Sequence, residues 1–597
     1  MLFVVLSFGA MAQNDTEFWF GAPENKEYTS SPRDRPIYIR VSTFDQTATV
    51  TLSQPARPEF TPLIQVLPAN STYCYVLTPF IDFIETKDPN SIKNFGLKLN
   101  ATAPVTAYYE QASNGNPDIF TLKGKNSLGT RFVIPSQNNY SNTCRYPDGS
   151  CNKYNSFVIV ATQNNTTVTI TPAKNIVGHT AGIPYTIVLN AGQTYSATAV
   201  SQSASEHLIG SLVTSDKPIA ITINDDSVIQ QYDSGGPDLV GDQIIPSSVM
   251  GKDYVFVKGY FSQSNSSTDR VYIIADSNNT VISINGSYVT TLNATQYYNY
   301  AFGAENALSL TASKPVIAFH LSGYEQQPAG AIIPPIQCTG SNEIVFVRSD
   351  VTGTVTQKRF GLIVFTRSGN ENGFSVSPND FSLSASDFQP VPGTSGSWLY
   401  TRKPLNSTSG TLIVKENTAY RISNSQGLFH LGILYGNPDN NARYGFYSNF
   451  ASVNLGPDQT ICPGDSVLLD AGAGKDAYLW NTGATTHSIW VKNQGTYYVD
   501  VTDYLCQISD TMVLAHYPVA PINLGPDTAI CTGTTITLDA GAGFSVYSWS
   551  NGGHNRTTTV GPGTYTVTAS IAGSCNSMDT IIIGSQPLPT PVPIRHN

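Results

Sequence analysis

The sequence predicts an all-β protein built from several small sandwiches in tandem. Three observations carry that prediction. Apolar and polar residues alternate with period 2 in stretches such as SVLLDA, TYYVDV and FVIVATQNNTTVTITP, as half-buried strands require. Gly, Pro, Asn and Asp interrupt these runs at short intervals, where tight turns need their φ angles. The chain also repeats itself: LGPDQTICPGDSVLLDAGAG from Leu455 returns 69 residues later as LGPDTAICTGTTITLDAGAG from Leu524.

Composition sets the outer limits. A chain of 597 residues is too long for one core. Charged residues make up 12%, about half the usual share, while the hydrophobic fraction of 40% leaves ample material for cores. Net charge is −10 and there is no run of Lys or Arg, so nucleic acid and anionic membranes are poor partners. No stretch is apolar for the roughly 18 residues a membrane-spanning helix needs.

In chain order, residues 1–12 read as a secretory signal: Ala10 and Ala12 form an A-x-A site before Gln13. The apolar stretch is short and no basic residue precedes it, so the start is expected to be clipped or miscalled. Residues 14–450 read as four repeated β units, about 14–118, 119–242, 243–330 and 331–450, beginning near Phe18, Phe132, Tyr254 and Ile344. Each unit carries a strand, a polar turn and a second strand. Examples are YIRVSTFDQTATVTLSQP from Tyr38, VIVATQNNTTVTITP from Val158, YIIADSNNTVISING from Tyr272 and, less clearly, FGLIVFTRSGNENGFSVSP from Phe360. They read as hairpins. A further shared element contains a proline: LKLNATAPVTAYYEQ from Leu97, GSLVTSDKPIAITIND from Gly210 and LSLTASKPVIAFHLS from Leu308. Proline cannot donate to a ladder, so it is expected to begin a strand there. Each unit holds enough strands for a sandwich; propeller-like packing is the alternative.

Residues 453–518 and 522–585 form two smaller sandwiches, with Trp480 and Trp549 at matching positions filling their cores. Cys462 and Cys506 are 44 residues apart, as are Cys531 and Cys575. The spacing predicts one disulfide within each repeat. Cys144 and Cys151 could staple the loop SNTCRYPDGSC, leaving Cys74 and Cys338 unassigned. Residues 586–597 are a Pro-rich linker or truncated tail.

Two resemblances follow from these motifs. FVIVATQNNTTVTITP, LNAGQTYSA, GSLVTSDKPIAITINDDS and PDLVGDQIIPSSVMGKDYVFVKG resemble the IgGFc-binding protein N-terminal domain family over about residues 30–450. LGPD-x₃-C-x-G, LDAGAG, W-[NS]-x-G and GTY resemble the Ig-like/PKD-like repeats of secreted Bacteroidetes-type proteins. The resemblances imply a bacterial protein that is secreted or held at the cell surface. Such repeats usually precede a C-terminal sorting domain, as in type IX secretion; none is visible, so a fragment or a chain without its anchor is expected. Antibody binding is attributed to the animal namesake and not to the bacterial members, so it is not carried over; the von Willebrand-type Cys-rich repeats of the animal members are also absent.

No catalytic pattern emerges. The eight His show no metal-pair spacing, and there is no HExxH, GxSxG, P-loop or dinucleotide fingerprint, so the chain reads as a non-enzyme without a required cofactor. The best acidic cluster is Asp225, Asp226, Asp233, Asp238 and Asp242. It could gather oxygens around Ca²⁺ or be a solvated loop. Tyr108, Tyr109, Tyr232, Tyr297, Tyr298 and Tyr324 are candidate contacts on loops or strand ends. The leading expectation is an adhesion protein, its N-terminal body recognising an extracellular protein or glycan and its C-terminal repeats acting as a spacer. A structural module of a larger adhesin and a polysaccharide-processing enzyme with an unrecognised site are the alternatives.

Overall fold

The computed structural model describes residues 14–588 except 26–33, 114–115, 143–152, 229–237, 262–267, 326, 338, 352–353, 408–409, 438–440, 451–452, 454, 456–457, 473–476, 504–505, 518–520 and 571–574. The signal-peptide reading, Cys144, Cys151, Cys338, Tyr232 and Asp233 therefore lie outside the described residues. The fold is all-β with sandwich-like sheets; the one α-helix among the described residues is the four-residue Ile81–Ile84. Contacts divide the chain into two compact units. One holds 1–457 with the pieces 472–478 and 500–509; the other holds 458–471, 479–499 and 510–597.

Three sheets of the first unit share one strand order. The paths are 63–67, 48–53, 97–111, 37–43, 72–76; then 185–189, 166–171, 212–228, 155–161, 194–198; then 287–292, 280–284, 307–325, 270–275, 297–301. At the centre of each lies one long strand, Leu97–Gln111, Leu212–Val228 or Ala307–Glu325. Its proline (Pro104, Pro218 or Pro315) lies at an irregularity in the ladder. The pairing steps from Asp15↔Val105 to Glu17↔Asn100, from Gly129↔Ile219 to Arg131↔Thr214, and from Gly251↔Val316 to Asp253↔Thr311. A bulge leaves a residue unpaired, so the missing N–H costs nothing there. The proline thus divides one strand into two half-ladders instead of beginning a new strand.

The expected hairpins do not form. Asn155–Ala161 pairs with residues 219–225 of the long strand, and Thr166–Thr171 pairs with 212–215 of the same strand; both are antiparallel to it. Ile37–Thr43 with Ala48–Ser53, and Arg270–Ala275 with Thr280–Ile284, repeat the arrangement. In the second and third sheets the polar turn between the two arms contains a left-handed residue, Asn165 at φ 54° or Asn279 at φ 57°, and carries the chain past the bulge. Period-2 alternation is the same whether two arms face each other or run end to end along a third strand, so the local pattern could not distinguish them.

The fourth segment differs. Glu343–Val347, Ala419–Asn424 and Phe374–Ser377 make a three-stranded sheet. Arg359–Arg367 lies inside a five-stranded one, between Trp398–Pro404 and Phe429–Asn437. Its run FGLIVFT is buried throughout, as a strand flanked on both edges and both faces should be.

The strands Asp118–Thr121, Asp238–Gln243, Gln327–Ile332 and Asn441–Phe446 touch in a closed cycle, the last meeting the first. Close packing there demands small residues. A Cβ on Gly241 would lie 2.5 Å from the Phe120 ring and 2.6 Å from the Ile223 carbonyl oxygen. Two carboxylates tie the cycle together. Asp118 accepts from the amides of Ile119, Gly241 and Tyr444 at 2.9, 3.2 and 3.3 Å. Asp242 accepts from the amides of Thr121 and Ile332 at 3.0 Å and from Lys123 Nζ at 2.9 Å. All three charged side chains are buried. Burial pushes both carboxyl pKa values up and the Lys123 ammonium down.

His430 is fully buried, stacked on Phe365 at 4.5 Å. Burial, and then the charge of Arg367, pushes its pKa down to about 3. Its unfolded value is near 6.5, so the unfolded chain binds the extra proton. Stability present above pH 6.5 is therefore lost as pH falls towards 3, at about 1.4 kcal/mol per pH unit. Between pH 7 and pH 5, wild type should lose roughly 2 kcal/mol more than His430→Phe, read from paired denaturant unfolding curves.

The C-terminal repeats share a second topology. The first pairs 459–461, 506–516, 495–503 and 477–480 in one sheet and 467–470 with 488–491 in another. The second pairs 528–531, 576–586, 563–570 and 546–549, and 536–539 with 557–560. Trp480 and Trp549 are buried, and each indole N–H donates to a backbone carbonyl at 2.8 Å, of Thr486 and Asn555 respectively. Trp480→Phe should destabilise the first repeat by about 1–3 kcal/mol, through a lost hydrogen bond and an unfilled volume. The loss of near-ultraviolet ellipticity on heating would check this.

The disulfide pairing departs from expectation. Cys462 is bonded to Cys575, with Cα atoms 5.3 Å apart, and Cys531 is a free thiol, as is Cys74. Cys531 pairs in register with Gln586, at the far end of the strand that begins at Asn576 beside Cys575. Ten strand residues at ~3.4 Å each put roughly 34 Å between the two ends. The same geometry separates Cys462 from Cys506, which opens the strand whose last residue, His516, pairs with Ile461. Equal spacing along the chain reflected the repeat, and bonding follows proximity.

Candidate functional site

A cleft of about 320 Å³ lies against the second sheet of the first unit, within the range of small-ligand pockets. Three elements build it. Thr194–Thr198 supplies Ser196 and Thr198, two residues apart and so on one face of the strand, with their hydroxyls 3.1 Å from each other. Asn155–Ala161 adds Ser156, with Tyr154 just before it, and the end of the long strand adds Asp226. Glu24, Pro89, Val177 and Val200 also line it, and Val177 and Val200 are exposed. Asn116 Nδ2 and Ser227 Oγ each donate to Asp226 Oδ1 at 2.9 Å, and Lys153 Nζ lies 3.8 Å from it.

The cleft thus offers hydroxyls, two carboxylates and one aromatic ring. Such a lining suits a neutral, hydroxyl- or amide-rich ligand held by hydrogen bonds and ring contact. None of its serines has an imidazole among its hydrogen-bond partners in the described residues. His207 Nδ1 contacts the Gln137 carbonyl oxygen at 2.9 Å and Asp225 at 3.3 Å, and His179 stacks on Tyr185 and meets Asn90. Although burial opposes it, the Asp225 charge raises the His207 pKa.

Of the acidic residues singled out in the sequence, the described Asp225, Asp226, Asp238 and Asp242 do not converge. Asp225 and Asp226 are adjacent on a strand and project to opposite sides. Asp225 is held by Gln137 Nε2 at 2.5 Å and Asn142 Nδ2 at 2.7 Å, away from the cleft. Asp238 and Asp242 are buried in the central cycle. Among the described residues no group of three or more His, Cys, Asp or Glu is placed to hold a metal ion. Of the tyrosines, Tyr108, Tyr109 and Tyr324 are core residues, while Tyr297 is exposed. Sequence reasoning passed over Tyr154, Ser156, Ser196 and Thr198. The one available signal was the hydroxyl alternation in YSAT, indistinguishable from an ordinary solvent-facing strand.

The fold defines a multi-sheet β protein with a polar cleft beside its second sheet. A profile for IgGFc binding protein matches residues 119–434, more than half of the chain, and the chain belongs to that family. The matched segment is shorter than the 30–450 suggested by the motifs, and it contains most of the cleft. No curated protein matches. Among solved structures, the chain is similar to a chimeric titin Z1Z2–Z1Z2 tandem carrying a GRGDS peptide from fibronectin, at 17% identity over 22% of this chain and 95% of that one, TM-score 0.11. It is also similar to the N-terminal eight Ig domains of Down syndrome cell adhesion molecule, at 9% identity over 96% and 70%, TM-score 0.16. A third is the insect immune protein hemolin, at 11% identity over 56% and 100%, TM-score 0.15. No helix of the described residues is long and apolar enough to cross a membrane.

Proposed function

We propose that this chain is an extracellular binding protein whose N-terminal body takes a protein or glycan partner at the cleft of its second repeat, while the C-terminal repeats act as a spacer. The observation carrying this reading is the lining of that cleft, where Ser156, Ser196, Thr198, Tyr154 and Asp226 share one ligand-sized concavity within the family's segment. The family's name refers to proteins that bind the Fc portion of antibody; for this chain Fc is one ligand to test among several. The cross-repeat disulfide supports the spacer role, because a covalent junction limits how far neighbouring repeats can separate. The low charge implies weak salt dependence, with hydrogen bonds and ring contacts supplying affinity.

The test is binding of the full chain to immunoglobulin Fc, mucin and a glycan array, alongside Val177→Trp, which fills the cleft with a bulky ring. A ligand from one of these classes should bind, and the variant should weaken it at least tenfold. Binding that Val177→Trp leaves intact would move the site elsewhere, and no binding across the panel would defeat the reading.

A further inference from the structure

Each C-terminal repeat places its two cysteines at opposite ends. Cys462 and Cys531, 69 residues apart, stand where the repeat's final strand finishes: Ile461 pairs with His516 and Cys531 with Gln586. Cys506 and Cys575, also 69 residues apart, stand where those final strands begin. The bond from Cys462 to Cys575 therefore joins the trailing end of one repeat to the leading end of the next. Cys531 occupies the trailing position of the second repeat, is partly exposed and carries a free thiol. Its turn copies the one around Cys462: Asp465 N–H donates to the Cys462 carbonyl and Thr534 N–H to the Cys531 carbonyl, both at 3.0 Å.

We infer that Cys531 is a covalent docking point that takes, by a disulfide, the leading-end cysteine of a further repeat of this class. A free thiol alone would not carry this. The second observation is Cys462, the same residue in the same turn of the sister repeat, already bonded to such a partner. The inference does not depend on what the N-terminal body binds. In the reaction two thiols lose two protons and two electrons and one S–S bond forms. The electrons pass to a small-molecule disulfide, whose S–S bond breaks to give two thiols.

The experiment uses the full chain with residues 520–588 duplicated in tandem after Leu588. This places a copy of Cys575 as far beyond Cys531 as Cys575 is beyond Cys462. After oxidation with glutathione disulfide, peptide mapping without reduction should show Cys531 joined to the added cysteine, with Cys462–Cys575 retained. Alkylation of Cys531 should fall at least tenfold relative to the parent chain. Cys531 left as alkylatable as in the parent, or bonded to Cys531 of a second copy, would overturn the inference. A second variant does not require the added repeat to fold. In Cys462→Ser, the end-to-end rule requires Cys531 and Cys575 to remain two separate thiols, and an intramolecular Cys531–Cys575 bond would refute it.

Discussion

Replacing Asp242 with alanine is expected to cost about 3–5 kcal/mol, the usual penalty for breaking a buried ion pair from one side. Lys123 Nζ lies 2.9 Å from Asp242 Oδ2, with side-chain exposures of 0% and 2%. The variant would leave an ammonium in the protein interior with no counter-charge, and would remove the acceptor used by the amides of Thr121 and Ile332. Burial already depresses the Lys123 pKa and raises that of Asp242, so the pair itself adds little net stability. Its loss is costly because half of it remains. The double variant Lys123→Met/Asp242→Asn removes the stranded charge and keeps one acceptor oxygen, enough for one of the two amides, which donate to different oxygens of Asp242. It should recover more than half of the loss. Denaturant unfolding of the full chain checks both, and a single-variant cost below about 1 kcal/mol would mean that the strands do not depend on this carboxylate.

The second large effect concerns the bond between the C-terminal repeats. Cys462 and Cys575 are 113 residues apart in sequence, and closing a loop of that size restricts the unfolded chain by roughly 4–5 kcal/mol on the chain-entropy account. Cys462→Ser should lower the stability of the two repeats by about that amount when they unfold together, and by less when each unfolds alone. Calorimetry with and without reductant should show the C-terminal transition moving to lower temperature while the Asp242-dependent transition stays in place. If reductant leaves the C-terminal transition unmoved, the bond contributes nothing to those repeats.

Much of the candidate site was hidden in the sequence for a definable reason. Asp226 drew notice because it lies in a run of acids, yet Asp225, Asp238 and Asp242 in the same run serve other places in the fold. Ser196 and Thr198 look like ordinary solvent-side positions until Tyr154 and Asp226 arrive from other parts of the chain to close a cleft above them.

The sequence by itself determined the strand content, the recurrence of the proline-bearing strand, the two C-terminal repeats and their tryptophan cores. Each of these depends on a residue's own preference: which face it buries, which φ it tolerates, whether it can donate a hydrogen bond. Partner choice was decided by the tertiary structure. Thr166–Thr171 could have folded back on Asn155–Ala161, but both arms follow Leu212–Val228 instead. Cys462 could have closed its own repeat, but a full strand's length separates it from Cys506, whereas Cys575 of the next repeat lies within bonding distance. Side-chain alternation records the face a residue presents, and spacing records distance along the chain. Neither specifies which segment lies across the gap, because that depends on how the whole chain packs.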